Sequence, residues 1–135
     1  MDAVEREIAD TMQAYVDAFA RLDAAAAAAH FRTPCLLLAD QGPLAFGTWE
    51  ELVAQFAALL DGLRAAGYSG GGYTSLHVRT LSERTALVSA AAVRYGEGGR
   101  ELERIGATYT LHRDDAGWKI VVLVTHPPDR VVPLG

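Results

Sequence analysis

A chain of 135 residues, half of them hydrophobic, is the size of one domain and buries roughly two-thirds of its unfolded surface around one core. A formal charge of −5 supplies no basic face for nucleic acid or for an anionic membrane. The single cysteine, Cys35, excludes an internal disulfide, and no apolar run approaches the ~20 residues that span a bilayer. The expectation is one soluble, cytoplasmic domain over residues 1–135.

The start, MDAVEREIAD, is acidic and amphipathic, unlike a signal peptide. Asp2 and Glu5 have the spacing of a capping box, in which each side chain satisfies a free amide of a first helical turn. Ile8, Met12, Tyr15, Phe19 and Leu22 follow at helical spacing and give one apolar face. Asp23 caps a second, short helix made of the run Ala24 to Ala29 and ending near Phe31, because alanine loses no side-chain entropy in a helix. Pro34 ends that helix by forcing the preceding residue out of α conformation. Cys35 to Ala39 reads as a strand, Asp40-Gln41-Gly42-Pro43 as a turn and Leu44 to Phe46 as the returning strand. Thr48 and Glu51 repeat the capping-box spacing. Leu52, Phe56, Leu59, Leu60 and Leu63 then continue a long amphipathic helix to near Gly67.

Beyond Gly70-Gly71-Gly72 the period changes to two. Tyr73–Leu81, Arg84–Tyr95, Glu101–Arg113 and Trp118–His126 read as four strands, with turn compositions at each break. Connections this short make an antiparallel meander. The tail from Pro127 to Gly135, with three prolines, is expected on the surface. The fold class is therefore α+β.

The turns set a register. With Gly98-Gly99 central, Arg94 opposes Glu103, while Ala92, Ala90 and Val88 oppose Ile105, Ala107 and Tyr109. With Asp115-Ala116 central, His126, Val124, Val122 and Ile120 oppose Ile105, Ala107, Tyr109 and Leu111. One face then carries Arg94, Glu103, Tyr109 and His126. The other carries Ser89, Ala91, Gly106, Thr108 and Thr110, too lightly polar for a fully solvated surface. A second copy of the chain packed sheet to sheet is the expected cover, with the C-terminal tail as the alternative.

Gly67-Tyr68-Ser69-Gly70-Gly71 matches a nucleophile-elbow pattern, but a helix precedes it and a strand follows, the reverse of what the elbow needs. His30, His77, His112 and His126 fall on separate elements without metal-ligand spacing, and Gly96-x-Gly98 lacks the rest of a dinucleotide loop. No metal or cofactor is expected. Tyr15, on the inward face with Met12 and Phe19, is either a core phenol with one satisfied hydroxyl or a donor to a bound oxygen. Tyr109 presents the same choice in mid-strand. His126 and Asp40 are the candidate proton carriers. Met12, Phe19, Trp49, Phe56, Arg94 and Glu103 are candidate ligand-binding side chains.

The run Tyr15-Val16-Asp17-Ala18-Phe19-Ala20-Arg21-Leu22-Asp23, then Phe31, Gly47-Thr48-Trp49 and the closing Gly117-Trp118-Lys119-Ile120-Val121, resembles the nuclear transport factor 2-like superfamily over nearly the whole chain. The resemblance implies a cone-shaped half-barrel, a curved antiparallel sheet with about three helices on its concave face, a pocket between them, and a dimer. The superfamily includes ketosteroid isomerases, SnoaL-like polyketide cyclases, epoxide hydrolases, dehydratases and non-catalytic association domains. Against the isomerase pattern, Tyr15 matches the tyrosine that donates to the developing oxyanion. The general-base position falls on Ala39, with Asp40 one residue on, and the second donor falls at Tyr109 or Thr110. The cyclase arrangement has His126 but no identified partner. The reading placed first is a pocket protein that binds a small, mostly apolar metabolite. The alternatives are a SnoaL-like isomerase, cyclase or dehydratase using Tyr15, and a protein-association module.

Overall fold

A computed structural model describes residues 1–134; Gly135, the last residue of the tail, lies outside them. Helix α1 (Ala3–Ala20) starts at the capping box, where Asp2 Oδ1 accepts from the Glu5 amide at 2.8 Å and Glu5 Oε1 from the Asp2 amide at 3.1 Å. Asp23 caps α2 (Ala24–Ala28) by accepting from the Ala26 amide, and Thr48 caps α3 (Trp49–Ala65) by accepting from the Glu51 amide, while Glu51 Oε1 accepts from the Thr48 hydroxyl and not from its amide as a capping box requires. Each cap stabilises its helix by about 1 kcal/mol. The helices bury Ile8, Met12, Tyr15, Ala18 and Phe19 from α1, Ala27 and Ala28 from α2, and Leu52, Phe56 and Leu60 from α3.

Six strands form one curved, unclosed sheet in the order β2-β1-β6-β5-β4-β3. They are β1 (Phe31–Ala39), β2 (Gly42–Phe46), β3 (Gly70–Thr80), β4 (Thr85–Tyr95), β5 (Glu101–Asp114) and β6 (Gly117–His126). β3 to β6 make the expected meander, and β1 joins β6 in parallel. The second half of the chain can therefore close its own ladder, while the first strand must travel back to dock beside the last. No helix is long and apolar enough to cross a membrane.

Several element boundaries differ from the sequence reading. α2 ends at Ala28, and β1 begins at Phe31, four residues before Cys35. The Ile120 amide donates to the His30 carbonyl at 2.9 Å, so sheet pairing captures this segment where local propensity favours helix. Pro34 thus sits inside a strand, where the β1–β6 register shifts between Phe31 and Leu36; proline has no amide to give the ladder. The Gly70–Gly72 stretch, expected as a break, is the first part of β3.

The β4–β5 register is the one set by Gly98-Gly99, with Arg94 opposite Glu103 and Val88 opposite Tyr109. In β5–β6, Ile120 opposes Leu111 as expected, but Val122 then opposes Thr110 and His126 opposes Gly106. Val121 is the extra residue of a β-bulge, and beyond it every side chain of β6 changes face. His126 is therefore on the outer face with Thr108, not on the helix-covered face with Arg94 and Tyr109. A second bulge in β3, at Thr74, puts Tyr73 opposite Ala92 on the same face as Leu76 and Val78.

Part of the outer face is covered by the tail. His126 Nδ1 pairs with the Pro127 carbonyl, which makes Nε2 the acceptor for the Thr108 hydroxyl; both contacts are 2.8 Å. Ser89 Oγ, fully buried, bonds Thr108 Oγ1 at 2.8 Å and accepts from the Val132 amide at 2.8 Å. This chain holds the tail against β4 and β5. It requires Gly106, where a Cβ would lie 2.5 Å from His126 Nδ1 and 2.6 Å from the Pro127 oxygen. Gly106→Ala should cost about 1–3 kcal/mol and make the tail protease-sensitive. Gly62→Ala, in open space on α3, should instead stabilise by roughly 0.5–1 kcal/mol. Urea midpoints moving in the same direction for both would contradict this account.

Candidate functional site

The concave face holds a small cavity of about 50 Å³ between the C-terminal half of α1 and strands β3, β4 and β5. Tyr15 and Phe19 line it from the helix, Tyr73 from β3, Arg94 from β4, and Ile105 and Tyr109 from β5, with Tyr68 and Gly71-Gly72 at its edge. Three phenols meet there. The Tyr73 and Tyr109 hydroxyls share a hydrogen bond of 3.1 Å. Tyr15 is 5% exposed, and its ring stands edge-on to Phe19, His30, Phe31, Phe56 and Tyr109 with centroids 5.5–6.3 Å away. None of the described residues hydrogen-bonds its hydroxyl.

Arg94 closes one side. Its guanidinium lies over the Phe19 ring, 5.1 Å from the centroid, and its Nη1 donates to Glu103 Oε1. The Arg94 side chain is 16% exposed and that of Glu103 45%, so the pair runs from the buried cavity to the rim. Arg94 Nε is buried and has no protein acceptor.

Burial pushes the Tyr15 hydroxyl well above the usual tyrosine range, and Tyr109 beside it adds to the shift while the Arg94 charge opposes it. Burial, with Tyr73 as neighbour, does the same to Tyr109; burial also raises Tyr73. All three are therefore protonated donors at neutral pH. Among the described residues, no carboxylate or imidazole lines the cavity.

The proposed site residues separate into three groups. Tyr15, Phe19, Arg94 and Tyr109 line the cavity. Glu103 and Asp40 lie on an outer groove that shares Arg94 and Ile105 with the cavity; His126 also borders that groove, although its ring is tied to Thr108 on the outer face. Met12 and Phe56 are core residues behind Tyr15, and Trp49, 44% exposed at the start of α3, is not a lining residue. Tyr73 and Tyr68 were not singled out. The apolar partners Leu76 and Val78 mark the inward face of β3, but Tyr73 has the opposite parity, and only the bulge at Thr74 turns it inward.

Because the folded state raises these phenols, the unfolded chain loses their protons first as alkaline pH rises. Stability should therefore fall above about pH 10. In a spectrophotometric titration, phenolate absorbance from Tyr15, Tyr73 and Tyr109 should appear only with unfolding, and Tyr109→Phe should shrink that cooperative step. Independent ionisation of all the tyrosines in the folded protein would contradict the buried cluster.

Comparison with known proteins follows the same architecture. A protein of unknown function with a cystatin-like fold from Nostoc punctiforme superposes with a TM-score of 0.77 at 16% identity, covering 98% of this chain and 95% of that one. An NTF2-like protein from Novosphingobium aromaticivorans gives 0.72 at 20% identity over 93% and 83%. A protein provisionally named a dehydratase of the NTF2-like family, from Streptomyces avermitilis, gives 0.71 at 19% identity over 91% and 94%. At these identities the likeness is one of fold. No curated protein matches the chain. The family model described as NTF2-like protein (DUF6841) matches residues 6–128, and with that match over most of its length the chain belongs to the NTF2-like family DUF6841.

Proposed function

We propose that this NTF2-like chain is a binding protein for a small, mostly apolar molecule carrying an oxygen acceptor. The observation that carries the reading is Tyr15, a residue with no hydrogen bond from its hydroxyl to another of the described residues, lining a cavity beside the Tyr73–Tyr109 pair. A ligand oxygen that accepted from this hydroxyl would add a hydrogen bond worth about 1 kcal/mol. The groove outside the cavity supplies apolar surface through Leu37, Leu44, Leu59 and Leu123.

The second reading is a SnoaL-like isomerase, cyclase or dehydratase in which Tyr15 stabilises a developing oxyanion. It is favoured by the donor-rich cavity and by the provisional name of the Streptomyces avermitilis neighbour. It needs a proton acceptor within reach of the bound molecule. Asp40 is exposed on the β1–β2 turn and the His126 ring is engaged by Thr108, so binding ranks ahead of turnover. The partner proposed for the outer face is a second copy of this chain, seated on the apolar residues Leu36, Leu38, Val122 and Val124 beyond the tail. The compartment proposed is the cytoplasm, where Cys35 stays a thiol.

A library of small apolar carbonyl compounds, screened by thermal shift, should contain ligands that raise the melting temperature. Tyr15→Phe should weaken such a ligand about five- to tenfold, the worth of one hydrogen bond, while the fold is kept. A library in which nothing binds would overturn the reading. Disappearance of a bound compound on incubation would move the protein to the enzyme class.

A further inference from the structure

Resting on the binding reading, we propose that the ligand is a small amphipathic carboxylic acid. Its carboxylate enters the tyrosine cavity against Arg94, its apolar body lies in the outer groove, and Glu103 is the internal carboxylate that it replaces.

The first argument is the use made of the Arg94 fork. A guanidinium presents five N–H donors in one plane and matches the two oxygens of a carboxylate. Glu103 takes one bond, at Nη1, from the rim. Nε is buried with no acceptor among the described residues, where an unpaired donor is costly. Phe19 holds the guanidinium plane by stacking, so the fork is preset.

The second argument is the sign of everything else in the cavity. Tyr15, Tyr73 and Tyr109 are protonated phenols, and no acid lines the space with them. Within the Tyr73–Tyr109 pair one hydroxyl donates to the other and leaves one proton over, while the Tyr15 proton is wholly free. Two phenolic donors and a guanidinium converging on one small space ask for an acceptor with negative charge. A neutral carbonyl has two lone pairs, too few for two phenols and a guanidinium; a carboxylate has about four, enough for all of them.

The third argument is size. About 50 Å³ admits a few waters or one carboxylate group, and not a ring or a chain. The groove that shares Arg94 and Ile105 with the cavity is about 450 Å³, and it continues past Ala39, Gln41 and Leu59 into the apolar channel lined by Leu37 and Leu123. A molecule with an acid head and an apolar body fits that division, with the head inside and the body outside. Glu103, half exposed, can swing to solvent when displaced and gives up little by doing so. The net charge of −5 does not exclude an anion, because surface charges beyond about 8 Å are screened at physiological salt while the guanidinium acts at contact.

The test is calorimetric binding of octanoate and of octanamide, which share a chain and differ in charge, at pH 7. The wild-type protein should prefer octanoate at least tenfold. Glu103→Gln, which removes the competing carboxylate, should bind octanoate more tightly still and widen its preference over octanamide. Arg94→Met should erase the preference, weakening octanoate at least tenfold more than octanamide. Equal affinity for acid and amide in the wild-type protein would overturn the carboxylate assignment while leaving the apolar-ligand reading standing. Binding of neither probe would overturn both. Should Arg94→Met fail to fold, the Glu103→Gln arm still decides, because loosened octanoate binding there contradicts the exchange.

Discussion

The period of two along a β-strand is the constraint on which the rest of this protein depends. A side chain on one face of the sheet enters the core under three helices, and its neighbour points away from them. One extra residue reverses that assignment for everything beyond it. The chain has such a residue in two strands that matter. Thr74 in β3 brings Tyr73 to the concave face, and Val121 in β6 takes His126 away from it. The contents of the cavity are set as much by these two insertions as by the residues themselves.

The cavity is also where helices and sheet are joined. Tyr15 makes edge-on contacts with aromatic rings from its own helix, from the α2–β1 connection, from α3 and from β5. Each such pair contributes about 0.5–1.5 kcal/mol beyond burial of its area. A phenol at this hub packs through its ring, and the packing of the ring fixes where its hydroxyl stands. Arg94 is held by the same logic, with Phe19 under its plane and Glu103 at one end of its fork. The result is a small volume bounded by donors, with no carboxylate or imidazole among the described residues that line it.

The outer face shows a different use of polar groups. Ser89, Thr108 and His126 could pass for a catalytic relay if only their spacing of 2.8 Å were considered. Each member is consumed in holding its neighbour, and the end of the chain is the Val132 amide of the tail. A buried hydroxyl that accepts a backbone amide is satisfied, and it is inaccessible as a nucleophile. Its work is to tie the last residues onto a face that would otherwise expose Gly106 and the β4–β5 ladder.

Much of this was legible in the sequence because it is local. The Asp2–Glu5 capping box, the Asp23 and Thr48 caps, the amphipathic faces of α1 and α3 and the β4–β5 register set by Gly98-Gly99 all depend on residues a few positions apart, whose preferences act before the chain is compact. Tyr15 and Phe19 were placed correctly for the same reason, since a helical period carries over several turns. The tertiary structure decided what local preference could not. Ile120 pairs with the His30 carbonyl and turns the segment after Ala28 into a strand through Pro34. The bulges at Thr74 and Val121 have no signature in composition, because a bulge is stabilised by the partner strand and by the side chains it re-aims. The pairing of Tyr73 with Tyr109, the turning of His126 outward and the docking of the tail on Ser89 all follow from those choices between distant strands, where side-chain burial and hydrogen bonding across the sheet outweigh the preferences of any one segment.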